Sequence, residues 1–198
     1  MLSILILAAG QSRRMRGRDK HLELVDNIPC TELIARQAIA TGLDVRIVVP
    51  DLIGERARAL SGYHLVPSPN TQNGMACSLK SGLESLPNNV SAVIILLGDM
   101  PEITQSDLQQ ITETFDQVDK GIIQSTTFSG EPGHPVLICR RYFPELMELT
   151  GDQGAKKVIQ AHSDDIYYLR LEGNRAHNDL DSPEQWEEWR RCHAMPTL

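Results

Sequence analysis

The 198-residue chain lacks paired cysteines, a long apolar run and any excess of basic charge. Each absence removes a class. The four cysteines, Cys30, Cys77, Cys139 and Cys192, are far apart and share no short spacing. Neither a zinc site nor a disulfide framework is therefore expected, and reduced, partly buried thiols in a cytoplasmic protein are. The apolar stretch at residues 2–9 is too short for a membrane span, and its cations follow it. Neither a transmembrane helix nor a signal peptide is expected. Net charge is −7 and pI about 5.3, whereas a nucleic-acid coat or a binder of anionic membrane shows a basic surface. No internal repeat and no low-complexity tract is present. Hydrophobic content of 41% and charged content of 23% are ordinary for a soluble globular protein. The length suits one domain over residues 1–198 with a real core.

Against that acidic background one basic stretch stands out. Residues 11–20 hold Arg13, Arg14, Arg16, Arg18 and Lys20 against the single acid Asp19. A charge run is commonly a solvated face. This one directly follows the apolar run Leu2–Leu7 and the small residues Ala8-Ala9-Gly10. Small residues let the backbone approach an anion and offer it free N–H groups. Arginine adds forked donors that match phosphate oxygens, and lysine a point charge. A triphosphate site is the expectation.

Leu2–Leu7 is a continuous apolar run of the kind buried on both faces of a parallel sheet. Residues 11–27 read as loop. Pro29 suits the first turn of a helix over Thr31–Gly42, with Leu33, Ile34, Ala38 and Ile39 at helical spacing and Gly42 as its stop. Val45–Val49 is a second strand, Gly54–Leu60 a short helix and His64–Val66 a short extended piece. A helix over Gly74–Leu86 carries Met75, Leu79, Leu83 and Leu86 on one face, and Ala92–Leu97 is another buried strand. Thr104 caps a helix across Gln105–Val118, with Asp107 in the capping-box place. Gly121–Thr127 and Pro135–Cys139 read as strands around a loop Ser129–His134. Tyr142–Leu149 and Ala155–His162 are helical, Ile166–Leu171 is a late strand, and Pro183 opens a last helix through Trp186 and Trp189. Both tryptophans are expected in the core.

Alternating strands and helices predict an α/β protein: a three-layer α/β/α sandwich, Rossmann-like, with a mainly parallel sheet and helices on both faces. In such sheets ligands bind beyond the carboxyl ends of the strands, at a switch in strand order. Three polar motifs fall at those ends: Gly10–Lys20, Gly98–Pro101 and the loop through His134. They are expected to share one cleft.

The loop Leu7-Ala8-Ala9-Gly10-Gln11-Ser12-Arg13-Arg14-Met15 is not a Walker A loop, because no Gly-Lys-Ser/Thr closes it. It also lacks the glycine fingerprint of a dinucleotide fold, which disfavours an oxidoreductase. With Lys20 it resembles the pattern Leu-Ala-(Ala/Gly)-Gly-x-Ser-x-Arg-Met-Gly, loop, Lys of the molybdenum cofactor nucleotidyltransferases, the MobA-like NTP transferase family, within the wider nucleotide-diphospho-sugar transferase group. One departure is visible: Arg16, followed by Gly17, stands where the pattern has glycine. Gly98-Asp99-Met100-Pro101 resembles the family's Gly-Asp-(Met/Gln)-Pro. Gly133-His134-Pro135-Val136-Leu137 resembles its Gly-His-Pro-Val-Leu. Gly151-Asp152-Gln153-Gly154-Ala155 resembles its Gly-Asp-x-Gly-Ala turn, with Lys156 in place of arginine. Asn178-Asp179-Leu180-Asp181-Ser182-Pro183-Glu184 resembles its Asp-Ile-Asp-Thr-Pro-Glu-Asp.

This resemblance, which runs from Leu2 to about Trp186, implies nucleotidyl transfer. Leu7, Ala8, Ala9, Gly10, Ser12, Arg14, Lys20, Asn73, Ser78 and Asp99 would contact the nucleotide, with Arg14, Lys20 and Asp99 catalytic. Asp99 would hold Mg²⁺, and Asp179, favoured over Asp181, would be the second metal ligand. That role suits magnesium, which takes one or two carboxylates and fills its shell with phosphate and water. Gly133, His134 and Pro135 would shape the acceptor side. Ala9, together with the Gly133-His134-Pro135-Val136-Leu137 segment, matches the cytidylyltransferase branch, so the implied substrates are CTP (or GTP) and a molybdopterin-type cofactor, with a molybdoenzyme as a partner receiving the product. A guanylyltransferase for the same cofactor, a sugar- or polyol-phosphate nucleotidylyltransferase, and a non-catalytic carrier of the cofactor stay open.

Overall fold

A computed structural model describes residues 1–69, 71, 74–152 and 154–193. The centre is a seven-stranded sheet. In chain order its strands are β1 (Leu2–Leu7), β4 (Asp44–Val49), β5 (Leu65–Pro67), β6 (Ala92–Leu97), β7 (Ile122–Thr126), β8 (Pro132–Cys139) and β9 (Ile166–Arg170). β2 (Leu24–Val25) and β3 (Ile28–Pro29) form a separate two-stranded hairpin. The helices are α1 (Cys30–Ile39), α2 (Glu55–Ala59), α3 (Met75–Ser85), α4 (Gln105–Gln117), α5 (Phe143–Met147), α6 (Lys156–Ala161) and α7 (Pro183–His193).

The sheet order is β5-β4-β1-β6-β8-β7-β9. Every pairing is parallel except those of β8, which runs antiparallel to both β6 and β7. From β1 the chain first builds outward through β4 to β5. It then returns to lay β6 on the other side of β1. That reversal is a switch point, and a crevice opens beyond the carboxyl ends of the two strands. Their register pairs Leu7 with Leu97, so both strands end level. The Gly98 N–H donates to the Leu7 carbonyl at 3.0 Å, which ties the two following turns together.

Burial explains the apolar runs. Ile4, Ile6, Ile94 and Leu96 face one side of the sheet, where α1, α4 and α7 supply Ile34, Leu108, Ile111 and Trp186. Leu5, Val93 and Ile95 face the other, against Leu79 and Leu83 of α3, Phe143 and Leu146 of α5 and Val158 and Ile159 of α6. A central strand sandwiched in this way needs apolar residues at every position. Trp186 is fully buried and Trp189 packs beside it, ring centroids 6.0 Å apart. Thr104 and Asp107 close both arms of a capping box on α4. All four cysteines are free: Cys30 buried, Cys77 and Cys139 half-buried, and Cys192 exposed. Among the described residues no helix is long and apolar enough to cross a membrane.

The differences from the sequence reading are local. Residues 11–27 are not plain loop: they hold 3-10 turns at Arg13–Met15 and Lys20–Leu22 and most of the β2–β3 hairpin, whose turn residues Asp26 and Asn27 adopt φ of 49° and 65°. Asp and Asn tolerate that left-handed pair. Pro29 ends a strand, and the helix starts after it at Cys30. β8 begins at Pro132, because pairing with β7 carries the strand through the Pro-Gly-His segment. The 142–149 segment is split into a 3-10 turn at Arg140–Tyr142 and the short α5. Met75 leaves the buried face of its helix and stands 41% exposed.

Gly133 shows how closely the elements around the crevice pack. A Cβ there would lie 2.0 Å from the Ala176 carbonyl oxygen, on the 3-10 turn Arg175–His177 that precedes Asp179. Gly133→Ala must push that turn away. The expected loss is about 1–3 kcal/mol in unfolding free energy, read as a lower urea midpoint.

Candidate active site

The crevice is a cavity of about 380 Å³. Its floor is the end of β1, with Leu7, Ala9 and Gly10. Gln11, Ser12, Arg13, Arg14 and Lys20 form one wall, and Asp99, Asp179 and Asp181 another. Thr71, Gly74, Met75, Ser78 and Asp152 close the far side. Alternation along the strand end decides which small residue shows. Leu7 and Ala9 line the cavity, while Ala8 points into the core beneath α1.

The acidic wall has a clear local cause. Leu180 is buried, its N–H donates to the Asp99 carbonyl at 3.1 Å, and its own carbonyl accepts from the Trp186 indole N–H at 3.1 Å. The segment is pinned from both sides, and the carboxylates flanking Leu180 are left toward the cleft. Ser182 and Gln185 then cap α7 reciprocally: the Ser182 hydroxyl accepts from the Gln185 N–H, and the Gln185 side chain accepts from the N–H groups of Asp181 and Ser182. Oxygen atoms of Asp99, Asp179 and Asp181 lie within 4.8 Å of one another. Three carboxylate oxygens so close suit a hard divalent cation.

Lys20 sits among them. Its ammonium donates to Asp99 Oδ2 and, at 2.6 Å, to Asp181 Oδ1. Arg14 reaches the other Asp181 oxygen. Burial works against charge on Lys20, but Asp99 and Asp181 outweigh it and hold the ammonium above its ordinary value. Asp99 is 3% exposed. Burial pushes its carboxyl up, Lys20 opposes this, and Asp179 and Asp181 add to the rise. Asp179 takes part in no ion pair among the described residues. Asp179 and Asp181 thus both stand at the site, and Asp181 is the one engaged by both cations.

The other loop arginines separate. Arg16 adopts φ 54°, ψ 45°, and Gly17 follows at φ 88°. Position 16 therefore has the left-handed backbone a glycine takes freely, at a cost to arginine of about 1–2 kcal/mol. Its side chain turns away to Glu184, and that of Arg18 pairs with Glu23. Arg13 lines the cavity, held by a 2.9 Å bond from its Nε to Gln11.

His21 is wedged between the two turns, 2% exposed. Its Nδ1 faces the Thr31 hydroxyl at 3.1 Å and the Gly98 carbonyl at 3.2 Å, and Thr31 itself donates to that carbonyl. A proton on Nδ1 satisfies this arrangement. Burial, with Arg56 and Lys20 adding, holds His21 well below its ordinary value, so the ring is neutral. Its Nε2 has no partner. Gly151 and Asp152 dock on the start of α3: the Asp152 Oδ1 accepts from the Met75 N–H at 3.3 Å, and the Gly151 carbonyl accepts from the Ala76 N–H at 3.1 Å.

The structure therefore gathers Leu7, Ala9, Gly10, Ser12, Arg14, Lys20, Ser78, Asp99 and Asp179 in one cavity. Asn73 lies outside the described residues. Gly133, His134 and Pro135 are not on the cavity wall: Pro135 is buried in β8, and Gly133 packs against Ala176. His134 is held below its ordinary value by burial, and its Nδ1 has no partner. Sequence reasoning did not name His21 or Asp152 as cavity residues, whereas Asp179 and Asp181 both stand in the Asp-Leu-Asp segment it singled out. Nothing local marks His21.

Residues 4–166 match the family described as the MobA-like NTP transferase domain. The chain is 24% identical over 203 residues to the purine catabolism protein PucB of Bacillus subtilis, covering 94% of each. Its fold matches Rv0371c of Mycobacterium tuberculosis with a TM-score of 0.81 at 24% identity over 98% of both chains. A manganese complex of that protein matches with a TM-score of 0.76 at 21% identity, over 94% of this chain and 96% of the other. The molybdopterin-guanine dinucleotide biosynthesis protein A of Archaeoglobus fulgidus matches with a TM-score of 0.68 at 13% identity, over 98% of this chain and all of the other.

Lys20 occupies carboxylate oxygens that a metal would use. A unit charge at about 4 Å is worth about 4 kcal/mol at an effective dielectric constant of 20. Lys20→Met is expected to bind Mn²⁺ in the absence of nucleotide at least tenfold more tightly than the unaltered chain, measured by metal titration. Unchanged or weaker affinity would show that Lys20 does not compete for those oxygens.

Proposed function

The chain belongs to the MobA-like NTP transferase family and is a nucleotidyltransferase, and from that premise we propose that it moves a CMP moiety from CTP to the terminal phosphate of a molybdopterin-type cofactor. One observation carries the reading: three convergent carboxylates stand beside Lys20 and Arg14 at the level ends of β1 and β6. A terminal phosphate oxygen of the acceptor attacks the α-phosphorus of CTP. The bond from that phosphorus to the bridging oxygen breaks, its electron pair leaves with pyrophosphate, and a phosphoanhydride joins CMP to the acceptor. A phosphate monoester is already largely ionised near neutral pH, so no general base is needed. Positioning and charge neutralisation dominate such transfers.

Asp99 and Asp179 would hold Mg²⁺, which supplies charge neutralisation across the reacting phosphates. Arg14 and Lys20 would exchange Asp181 for the β- and γ-phosphates and stabilise the leaving group. Gly10 and Ser12 would bring backbone close to the triphosphate. Ser78, on the first turns of α3, would face base or ribose. Gly133, His134 and Pro135 stand off the cavity near the Asp179 segment, and would support the acceptor side through that segment. The molybdenum cofactor assignment draws support from the name of the Archaeoglobus fulgidus protein, and a receiving molybdoenzyme would be the downstream partner.

CTP is preferred to GTP because of Ala9. Ala9 lines the cavity floor and is packed in the layer with Ala76 and Leu79. A methyl there narrows the floor beneath a base. The second reading is a guanylyltransferase for the same cofactor, which the name of the Archaeoglobus fulgidus protein favours. A non-catalytic carrier loses its main support, since Arg16 keeps the backbone form a glycine would take.

Pyrophosphate release measured with each nucleotide, Mg²⁺ and molybdopterin tests the reading. CTP is expected to give the highest kcat/KM, and release with no nucleotide would refute transfer. Asp99→Asn is expected to lower kcat at least a thousandfold with native circular dichroism; near-native turnover would sink the metal assignment. Ala9→Gly is expected to lower the CTP-to-GTP ratio of kcat/KM about tenfold or more, and an unchanged ratio would remove Ala9 from base selection.

A further inference from the structure

The loop that carries Lys20 has no glycine repeat to shape it and concentrates positive charge, yet it is held in one form. Its support comes from outside the motif. Arg56, on the short helix α2, lies beneath the loop with its side chain 10% exposed. One guanidinium reaches three separate points. Nη1 donates to the Ala8 carbonyl at 2.6 Å, Nε to Asp19 Oδ2 at 2.5 Å, and Nη2 to the Ser12 hydroxyl at 3.3 Å. Those points are the start, the middle and the end of the loop.

The network then runs on to the site. Asp19 Oδ1 accepts from the Ser12 hydroxyl at 3.1 Å and from the His21 N–H at 3.0 Å. The Ser12 oxygen accepts from the Lys20 N–H at 3.2 Å. Ser12 has a left-handed backbone, φ 49°, which the surrounding bonds must enforce. The backbone of Lys20 is thus fixed by Ser12 and Asp19, and both of these are fixed by Arg56. Arg56 also balances the only acid within residues 11–20, so Asp19 does not offset the cations facing the cleft. Neither Arg56 nor Asp19 lines the cavity.

We propose that Arg56 is a positioning residue for nucleotide binding: it presets the backbone of the 8–20 loop, so that only the side chains of Lys20 and Arg14 change partners when the triphosphate binds. The role rests on the nucleotidyl-transfer reading. A planar fork with donors in three directions is required, which lysine cannot reproduce. Preorganisation of this kind acts on ligand affinity because a loop already ordered loses little freedom on binding.

Removing Arg56 alone leaves Asp19 short of its counter-charge and lowers stability whatever the role of Arg56. The test therefore compares Arg56→Met with the double variant Arg56→Met/Asp19→Asn, in which no unpaired charge remains. Melting temperature, the dissociation constants of inorganic pyrophosphate and of CTP with Mg²⁺, and the KM values for nucleotide and for acceptor are measured on each. The double variant is expected to regain most of the melting temperature. It is also expected to bind pyrophosphate and CTP at least tenfold more weakly than wild type, with KM for the acceptor unchanged. Arg56→Lys is expected to show the same affinity loss. If the double variant recovers nucleotide affinity together with stability, Arg56 is only structural and the proposal is overturned. If the wild-type chain binds neither CTP nor any other nucleotide, the transfer reading fails and takes this inference with it.

Discussion

The contact on which the rest of the site depends is the bridge from Lys20 to Asp99 and Asp181. Asp99 is buried, and Asp179 and Asp181 bring two further carboxylates within 4.8 Å of it. Unpaired, such a group would drive its own protonation or push the 179–181 segment out of the cleft. One ammonium opposes both, with Arg14 adding a second positive charge at Asp181. The demand on the fold is that three remote pieces of chain meet at one atom, Lys20 Nζ. The level ends of β1 and β6 satisfy the first part of it. Trp186, anchoring Leu180 from α7, satisfies the second.

What was legible in the sequence follows from how local the determinants are. Leu2–Leu7 and Ala92–Leu97 are read to the residue, because burial on both sheet faces leaves an apolar run with no period to misplace. The Thr104 cap is equally local. The β2–β3 hairpin escapes, since two strands of two residues each hold too little pattern to show above the polar loop around them. Pro132-Gly133-His134 looks like a turn by composition and is a strand only because β7 pairs with it. In the site, Lys20, Asp99 and Asp179 are visible as motif residues. His21 is not, since a histidine beside a lysine carries no local sign that it will be buried between two turns and held neutral. Arg56 is hidden for the same reason: it stands on an ordinary amphipathic turn, and only the tertiary fold aims it at Ala8, Ser12 and Asp19.

The Arg16 departure illustrates how a motif residue can change while the geometry it serves is kept. The pattern's glycine answers a need for positive φ, and the chain meets that need at a strain of about 1–2 kcal/mol. The neighbouring Gly17, also at positive φ, makes the turn without further strain. The exposed contact with Glu184 offsets little of it, since surface ion pairs contribute about 0–1 kcal/mol. Arg16 thus alters the charge of the outer rim rather than the course of the loop.

The same bridge constrains the order in which the cleft can fill. Lys20 serves as counter-ion to the acidic group, and on the proposed reading it is also the half-buried cation that meets the triphosphate. It cannot do both. A metal ion arriving alone must displace an ammonium that two carboxylates already hold. A triphosphate arriving alone must draw Lys20 away and leave those carboxylates facing each other. On the proposed reading, the two arriving together would each offset the charge the other exposes: phosphate oxygens would take over Lys20 and Arg14, while Asp99 and Asp179 would gain a divalent partner. On that reading the two ligands would be coupled through Lys20, and linkage would make the coupling reciprocal. Its strength depends on how firmly the loop presents the ammonium at a single place, and the guanidinium of Arg56 beneath the loop sets that place.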